Sequence, residues 1–146
     1  MTTLLSIKRI ATAVWSGSLK EGSGNLTAPS GVLHSTQYTF GSRFESSPGI
    51  SPDELIAAAH AGCYAMALSG LLVDSGYDPD RLEVTAEVTL EDNPPAGWSL
   101  AASHLIVNGR VPLITSEQFI TLAEQAKPCA VSRALNIPIT LEAKLD

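Results

Sequence analysis

Two cysteines, Cys63 in SPDELIAAAHAGCYAMALSGLLVDSG and Cys129 in KPCAVS, are the residues best suited to covalent chemistry in this sequence. A cysteine attacks as its thiolate, and an unperturbed thiol with a pKa of about 8.5 is only about 3% ionised at pH 7. Cys63 falls near the middle of a long apolar segment, where burial raises a thiol's pKa and lowers its reactivity. Taken alone it reads as a structural core cysteine, and to react it needs a cation at its side. Arg43 is the candidate, because a guanidinium is always charged and brings several N–H donors. Cys129 follows Pro128, which suits the first position of a helix. That places its sulfur near unpaired backbone N–H groups and the positive end of a helix dipole. On local sequence, Cys129 is therefore the more acidic thiol.

Other pairings are weaker. His60 precedes Cys63 by three residues and shares its helix face, so a Cys–His nucleophile pair is one reading. A histidine among small residues is more often a satisfied core or interface group. Two cysteines without close spacing, with His34 and His104 in unrelated segments, do not make a metal site. Asp53 and Glu54 suit a helix start, where acids meet the dipole and Glu54 completes a capping box with Ser51. The ten residues from Asp53 to Cys63 span about 15 Å of helix, so Asp53 cannot touch Cys63 within one helix. It can act only by positioning a long side chain such as Arg43, or by reaching a second copy.

The first 45 residues alternate strands and turns, and TQYTFGSRFE is expected to be a half-buried strand with Arg43 on its more polar side. Ser51 caps a long helix that begins at Pro52 and stops at Gly76. Apolar and small residues surround this helix, which should be buried on most sides, with a second copy of the chain completing the cover across a two-fold axis. LEVTAEVTL and SLAASHLIVNGRV read as an antiparallel pair, TSEQFITLAEQAK as an amphipathic helix, PCAVSRAL as a short helix and IPITLEAKL as a final strand. The order βββ-α-ββ-α-α-β lacks regular βαβ alternation and points to a single α+β domain over residues 1–146.

Composition narrows the function. A chain of 146 residues with net charge −6 and no basic run disfavours nucleic acid and anionic membrane surfaces. The start MTTLLSIKRIATAVW is not a signal peptide, since Lys8 and Arg9 follow the short apolar patch. With no export signal the expected compartment is the reducing cytoplasm, which leaves a redox-active pair or two core thiols as the readings for the cysteines. Leu55 to Val73 is uncharged and long enough for a membrane span, but Ala and Gly dominate it, it holds His60 and Ser69, and no basic flank anchors it.

YTFGSRFE, SPDELIAAAHAGCYAMAL and KPCAVS together resemble the OsmC/Ohr family of organic hydroperoxide reductases, in particular its OsmC branch. The resemblance runs nearly end to end. It implies antiparallel sheets around a long central buried helix, an intertwined homodimer, and active sites at the subunit interface. It implies a thiol-dependent peroxidase of stress defence that needs no cofactor, only an external dithiol reductant such as a lipoyl group. Carried over by residue, Cys63 matches the peroxidatic cysteine, Cys129 the resolving cysteine and Arg43 the supporting arginine. Asp53 stands where the family has a glutamate, one methylene shorter, and Ala130 replaces a frequent proline. The family's choice of Cys63 as attacker reverses the local reading, because a thiol beside a fixed arginine can be activated more than one at a short helix tip. The rival from another class is a non-catalytic dimeric module that binds a small apolar ligand.

Overall fold

The computed structural model of the chain describes residues 5–146; the first part of the N-terminal apolar patch, residues 1–4, lies outside the described residues. The chain divides into two compact units that meet in sequence at Pro52 and Asp53.

The unit up to Pro52 is an antiparallel meander of β1 (Thr12–Ser16), β2 (Ser23–Thr27) and β3 (Thr36–Tyr38). Its register sets Trp15, Gly24 and Tyr38 side by side across the strands. A Cβ on Gly24 would lie 2.6 Å from the Trp15 ring and 2.8 Å from the Tyr38 ring, so glycine is what lets the two aromatics close over the strand. Their centroids are 5.4 Å apart. The expected strand through TQYTFGSRFE ends at Tyr38, and Phe40–Phe44 forms a short helix, α1, instead. A capping box decides this. Thr39 Oγ1 accepts from the Ser42 N–H at 3.1 Å and Ser42 Oγ accepts from the Thr39 N–H at 2.9 Å. These local bonds outweigh the alternation of Tyr38, Phe40, Ser42 and Phe44 that suggested a strand. Arg43 therefore sits in the last turn of a helix, not on a strand face.

The second unit, Asp53–Asp146, is built on α2 (Pro52–Asp74), which starts at the expected proline and gives way to Gly76 at φ +92°. After it come β4 (Arg81–Asp92), β5 (Trp98–Arg110), α3 (Ser116–Gln125), α4 (Ala130–Ala134) and β6 (Ile139–Leu145). β4 and β5 form the expected antiparallel pair. β6 joins the other edge of β5 in parallel, so this sheet is mixed where antiparallel sheets were expected. The parallel pairing follows from the connection, because a crossover through two helices returns the chain in the same direction. β5 is thus central, and its inward residues Ser103, Leu105 and Val107 are fully buried.

The core forms where α2 and α3 pack with this sheet: Tyr64, Leu68 and Leu72 from α2, Leu105 and Val107 from β5, Phe119 and Ala123 from α3. Gly109 leaves room for the Phe119 ring, which a Cβ there would meet at 2.5 Å. α3 is capped by Thr115, which accepts from the Gln118 N–H at 3.1 Å. α2 is long and apolar enough to cross a bilayer, and one stripe of it is buried in the core. Its buried residues His60, Tyr64, Leu68 and Leu72 form one stripe at four-residue spacing. Burial on most sides is not met within one chain, because a single sheet and its helices cover one face of a cylinder. Ala58, Gly62, Met66, Gly70 and Val73 are exposed on another face, Met66 at 79%.

Candidate active site

The fold brings the two thiols together. Cys63 lies in the middle of α2, half-buried, and Cys129 lies at the start of α4, buried. Both are free, and they lie near one another, close enough for the Cys63 thiol to bear on the acidity of Cys129. Pro128 was expected to open the short helix with Cys129 in its first turn; Cys129 is instead the residue just before it, extended at φ −65° and ψ 170°. The backbone N–H groups of Ser132 and Val131 face its sulfur without closing a standard cap bond. Ser132 Oγ lies 3.3 Å from Cys129 Sγ. Burial pushes the Cys129 thiol up. The Ser132 hydroxyl first, then the Ser132 N–H, Cys63 and the Val131 N–H, pull it down, and the net direction is below the ordinary value.

His60 does not pair with Cys63. Both of its ring nitrogens are taken by serine hydroxyls, Nδ1 by Ser103 Oγ at 2.7 Å and Nε2 by Ser132 Oγ at 2.7 Å. It is a satisfied, fully buried histidine, as the plainer of the two sequence readings had it. Through Ser132 it nevertheless reaches Cys129. Ser103 and Ser132 are the groups that sequence reasoning missed. Ser103 shares the inward register of Leu105 and Val107, and a serine in that series was the available signal. Ser132 stands three residues after Cys129, the spacing of neighbours on a helix turn.

Burial holds the His60 ring below the ordinary histidine value, so the folded state keeps it neutral. Its contribution to stability is whole above the unfolded value of about 6.5 and is lost as pH falls through that value toward the lower folded one. Urea denaturation at pH 7.5 and 5.5 should show the wild-type chain losing more stability on acidification than His60→Gln. An equal loss in both would remove His60 from the account. Next to it, the Tyr64 hydroxyl donates to the Ala123 carbonyl at 2.8 Å. Burial, then the negative charges of Glu124 and Cys129, raise its pKa far beyond the ordinary phenol, so it remains a donor.

Arg43 and Asp53 belong to different units. Arg43 stacks on Phe44, its Cζ 4.9 Å from the ring centroid. With Trp15, Tyr38, Phe40 and Phe44 it lines a cavity of about 300 Å³ whose walls are mostly aromatic. Asp53 occupies the first turn of α2, half-buried, and Glu54 beside it is exposed. Among the described residues, no group of three or more His, Cys, Asp or Glu side chains gathers as a metal ion would require. His104 is bound instead to Thr140 at 2.6 Å and Glu142 at 3.2 Å.

A mixed α+β unit thus brings near one another two free cysteines from distant segments, one in the core helix α2 and one at the start of α4, a pairing suited to dithiol redox chemistry. Comparison with known proteins agrees. The OsmC-like protein profile matches residues 44–144. Peroxiredoxin OsmC of Escherichia coli K12 is 39% identical over 142 residues, covering 97% of this chain and 99% of that protein. The crystal structure of the organic hydroperoxide resistance protein OhrB of Bacillus subtilis superposes with a TM-score of 0.69 at 22% identity, over 94% of this chain and 98% of that one. An OsmC-like protein of unknown function from Vibrio cholerae shares the fold with a TM-score of 0.76 at 13% identity, over 94% and 99% of the two chains. The chain belongs to the OsmC-like protein family.

Proposed function

We propose that this chain is a cysteine-based peroxidase that reduces organic hydroperoxides, and hydrogen peroxide less well, to alcohols or water. The observation that carries the reading is the meeting of Cys63 and Cys129, distant in sequence and both free. The names peroxiredoxin and organic hydroperoxide resistance protein among its relatives support the same class.

In this reading Cys63, the more accessible sulfur, attacks one oxygen of ROOH as its thiolate. The O–O bond breaks, the alkoxide leaves as alcohol after taking a proton, and Cys63 becomes a sulfenic acid. Cys129 then displaces the hydroxyl to form a disulfide, which an external dithiol, a lipoyl group among the candidates, reduces. Arg43 donates to the departing oxygen, and Asp53 takes the orienting role of the family's glutamate. An apolar setting for the peroxide favours one with an alkyl or aryl tail. Each methylene buried there favours the organic peroxide by about 0.8 kcal/mol.

The active species is a homodimer. Among the described residues up to Pro52 only Gly24 is buried, while Leu5, Ile7, Ile10 and Val14 are more than half exposed. A three-stranded sheet without a buried side chain lacks the apolar face that stabilises such a sheet. A second copy supplies the missing cover, and residues 1–146 then act as one domain. Free thiols suit the cytoplasm, where dithiol reductants are at hand.

Mass spectrometry after one equivalent of cumene hydroperoxide tests the reading. The expected product is an internal Cys63–Cys129 disulfide, with the mass lowered by two hydrogens. Two unchanged thiols would sink it and leave a binding module.

A further inference from the structure

The mechanism above uses two sulfurs and leaves a buried polar chain unemployed. Ser103 Oγ, both nitrogens of His60, Ser132 Oγ and Cys129 Sγ follow one another at 2.7, 2.7 and 3.3 Å. They come from β5, α2 and α4, and Ser103 and His60 are wholly buried, Ser132 nearly so. Three polar groups in an apolar core are costly unless each is satisfied, and a simpler core would hold none of them.

The direction of the hydrogens matters. A neutral imidazole carries one N–H, so it donates from one nitrogen and accepts at the other. If Ser103 donates to Nδ1, then Nε2–H donates to Ser132. The Ser132 hydroxyl, already accepting from the ring, has its own hydrogen left for the Cys129 sulfur. A hydroxyl donating to sulfur stabilises the thiolate over the thiol. We propose that Ser103 and His60 aim the Ser132 hydroxyl as a donor at Cys129, and that this aimed hydroxyl sustains the thiolate that closes the disulfide. Ser132 touches the reacting sulfur, and His60 is a positioning residue that acts through it. The inference rests on the two-thiol reading above.

The step balances without a further reagent. The Cys129 thiolate gives an electron pair to the Cys63 sulfur of the sulfenic acid. The S–S bond forms as the S–O bond breaks. Hydroxide leaves with the pair of the broken S–O bond and takes a proton to become water, equal to the proton Cys129 released on ionising. The Cys129 sulfur is oxidised and the Cys63 sulfur reduced from the sulfenic level.

The test separates the two halves of a single turnover. The full chain is mixed with one equivalent of cumene hydroperoxide and quenched over time. Cys63 sulfenic acid and the Cys63–Cys129 disulfide are then counted by mass. Ser132→Ala should lower the ratio of closure rate to oxidation rate about tenfold or more, the scale of one hydrogen bond to a charged group. Ser132→Thr, which keeps the hydroxyl, should restore most of it. His60→Leu, which fills the volume without ring nitrogens, should resemble Ser132→Ala; if it does not fold, the Ser132 pair decides alone. A wild-type ratio in Ser132→Ala, or equal slowing by alanine and threonine, overturns the role of the chain while leaving the peroxidase intact. A wild-type protein that forms sulfenic acid but never the disulfide overturns both this inference and Cys129 as resolving thiol.

Discussion

Cys63→Ser should abolish peroxide turnover, a loss of about 10³-fold or more in kcat/KM, since a serine hydroxyl at neutral pH offers no thiolate to the O–O bond. Steady-state consumption of cumene hydroperoxide with a dithiol reductant measures it. Cys129→Ser should differ in kind: one equivalent of peroxide is consumed quickly, Cys63 stops as sulfenic acid, and turnover by the dithiol collapses. The magnitude says where the catalysis resides. Full ionisation of an ordinary thiol gains only about thirtyfold at pH 7, and part of that is returned as nucleophilicity falls with pKa. The larger share must stabilise the departing oxygen, a role worth about 3 kcal/mol for one well-placed donor. Arg43 is the side chain proposed for it. Substantial peroxidase activity surviving in Cys63→Ser would assign the attack to Cys129, the sulfur whose hydrogen bonds already hold its pKa down.

Met66→Glu should convert the proposed dimer to a monomer and remove most of its activity. Met66 is 79% exposed within one chain, on the helix face shared by Ala58, Gly62, Gly70 and Val73. A Cβ added at Gly62 or Gly70 meets nothing within the chain, so that face is open and smooth enough for another backbone to approach. An isologous contact presents each substitution twice, so one glutamate places two like charges on the two-fold interface. Each costs several kcal/mol to bury unpaired, more than a contact of modest area can offset. Light scattering after size exclusion should report about twice the 15.3 kDa chain mass for the wild type and a single chain for the variant. A wild type that elutes as a monomer at micromolar concentration, or a variant that stays dimeric, would refute this packing.

Much of the architecture was legible because local rules and the global fold agree. α2 carries its own punctuation, a proline at its first position and Gly76 just beyond its end. β4 alternates strictly, so its inward face could be read directly. α1 was misread because Ser42 falls in the phase of a strand's apolar side, while its hydroxyl bonds the Thr39 N–H and thereby starts a helix. Periodicity counts side chains and does not see such a bond. The cost fell on Arg43, placed on a strand and found at a helix end.

The candidate site divides in the same way. Sequence alone named the candidates, two thiols, an arginine and an acid at a helix start, and read the histidine as a satisfied core group. It also raised the expectation that α2 is covered on most sides, which one chain by itself does not meet. Only the tertiary structure decided who meets whom. His60 faces Ser103 and Ser132, and Cys129 faces Ser132 and Cys63. Those encounters depend on how β5 registers with β6 and on how the α3–α4 crossover returns the chain to the sheet. A hydrogen bond forms only within a few tenths of an ångström of its ideal length, so partners far apart in sequence are chosen by the whole fold and leave little local trace.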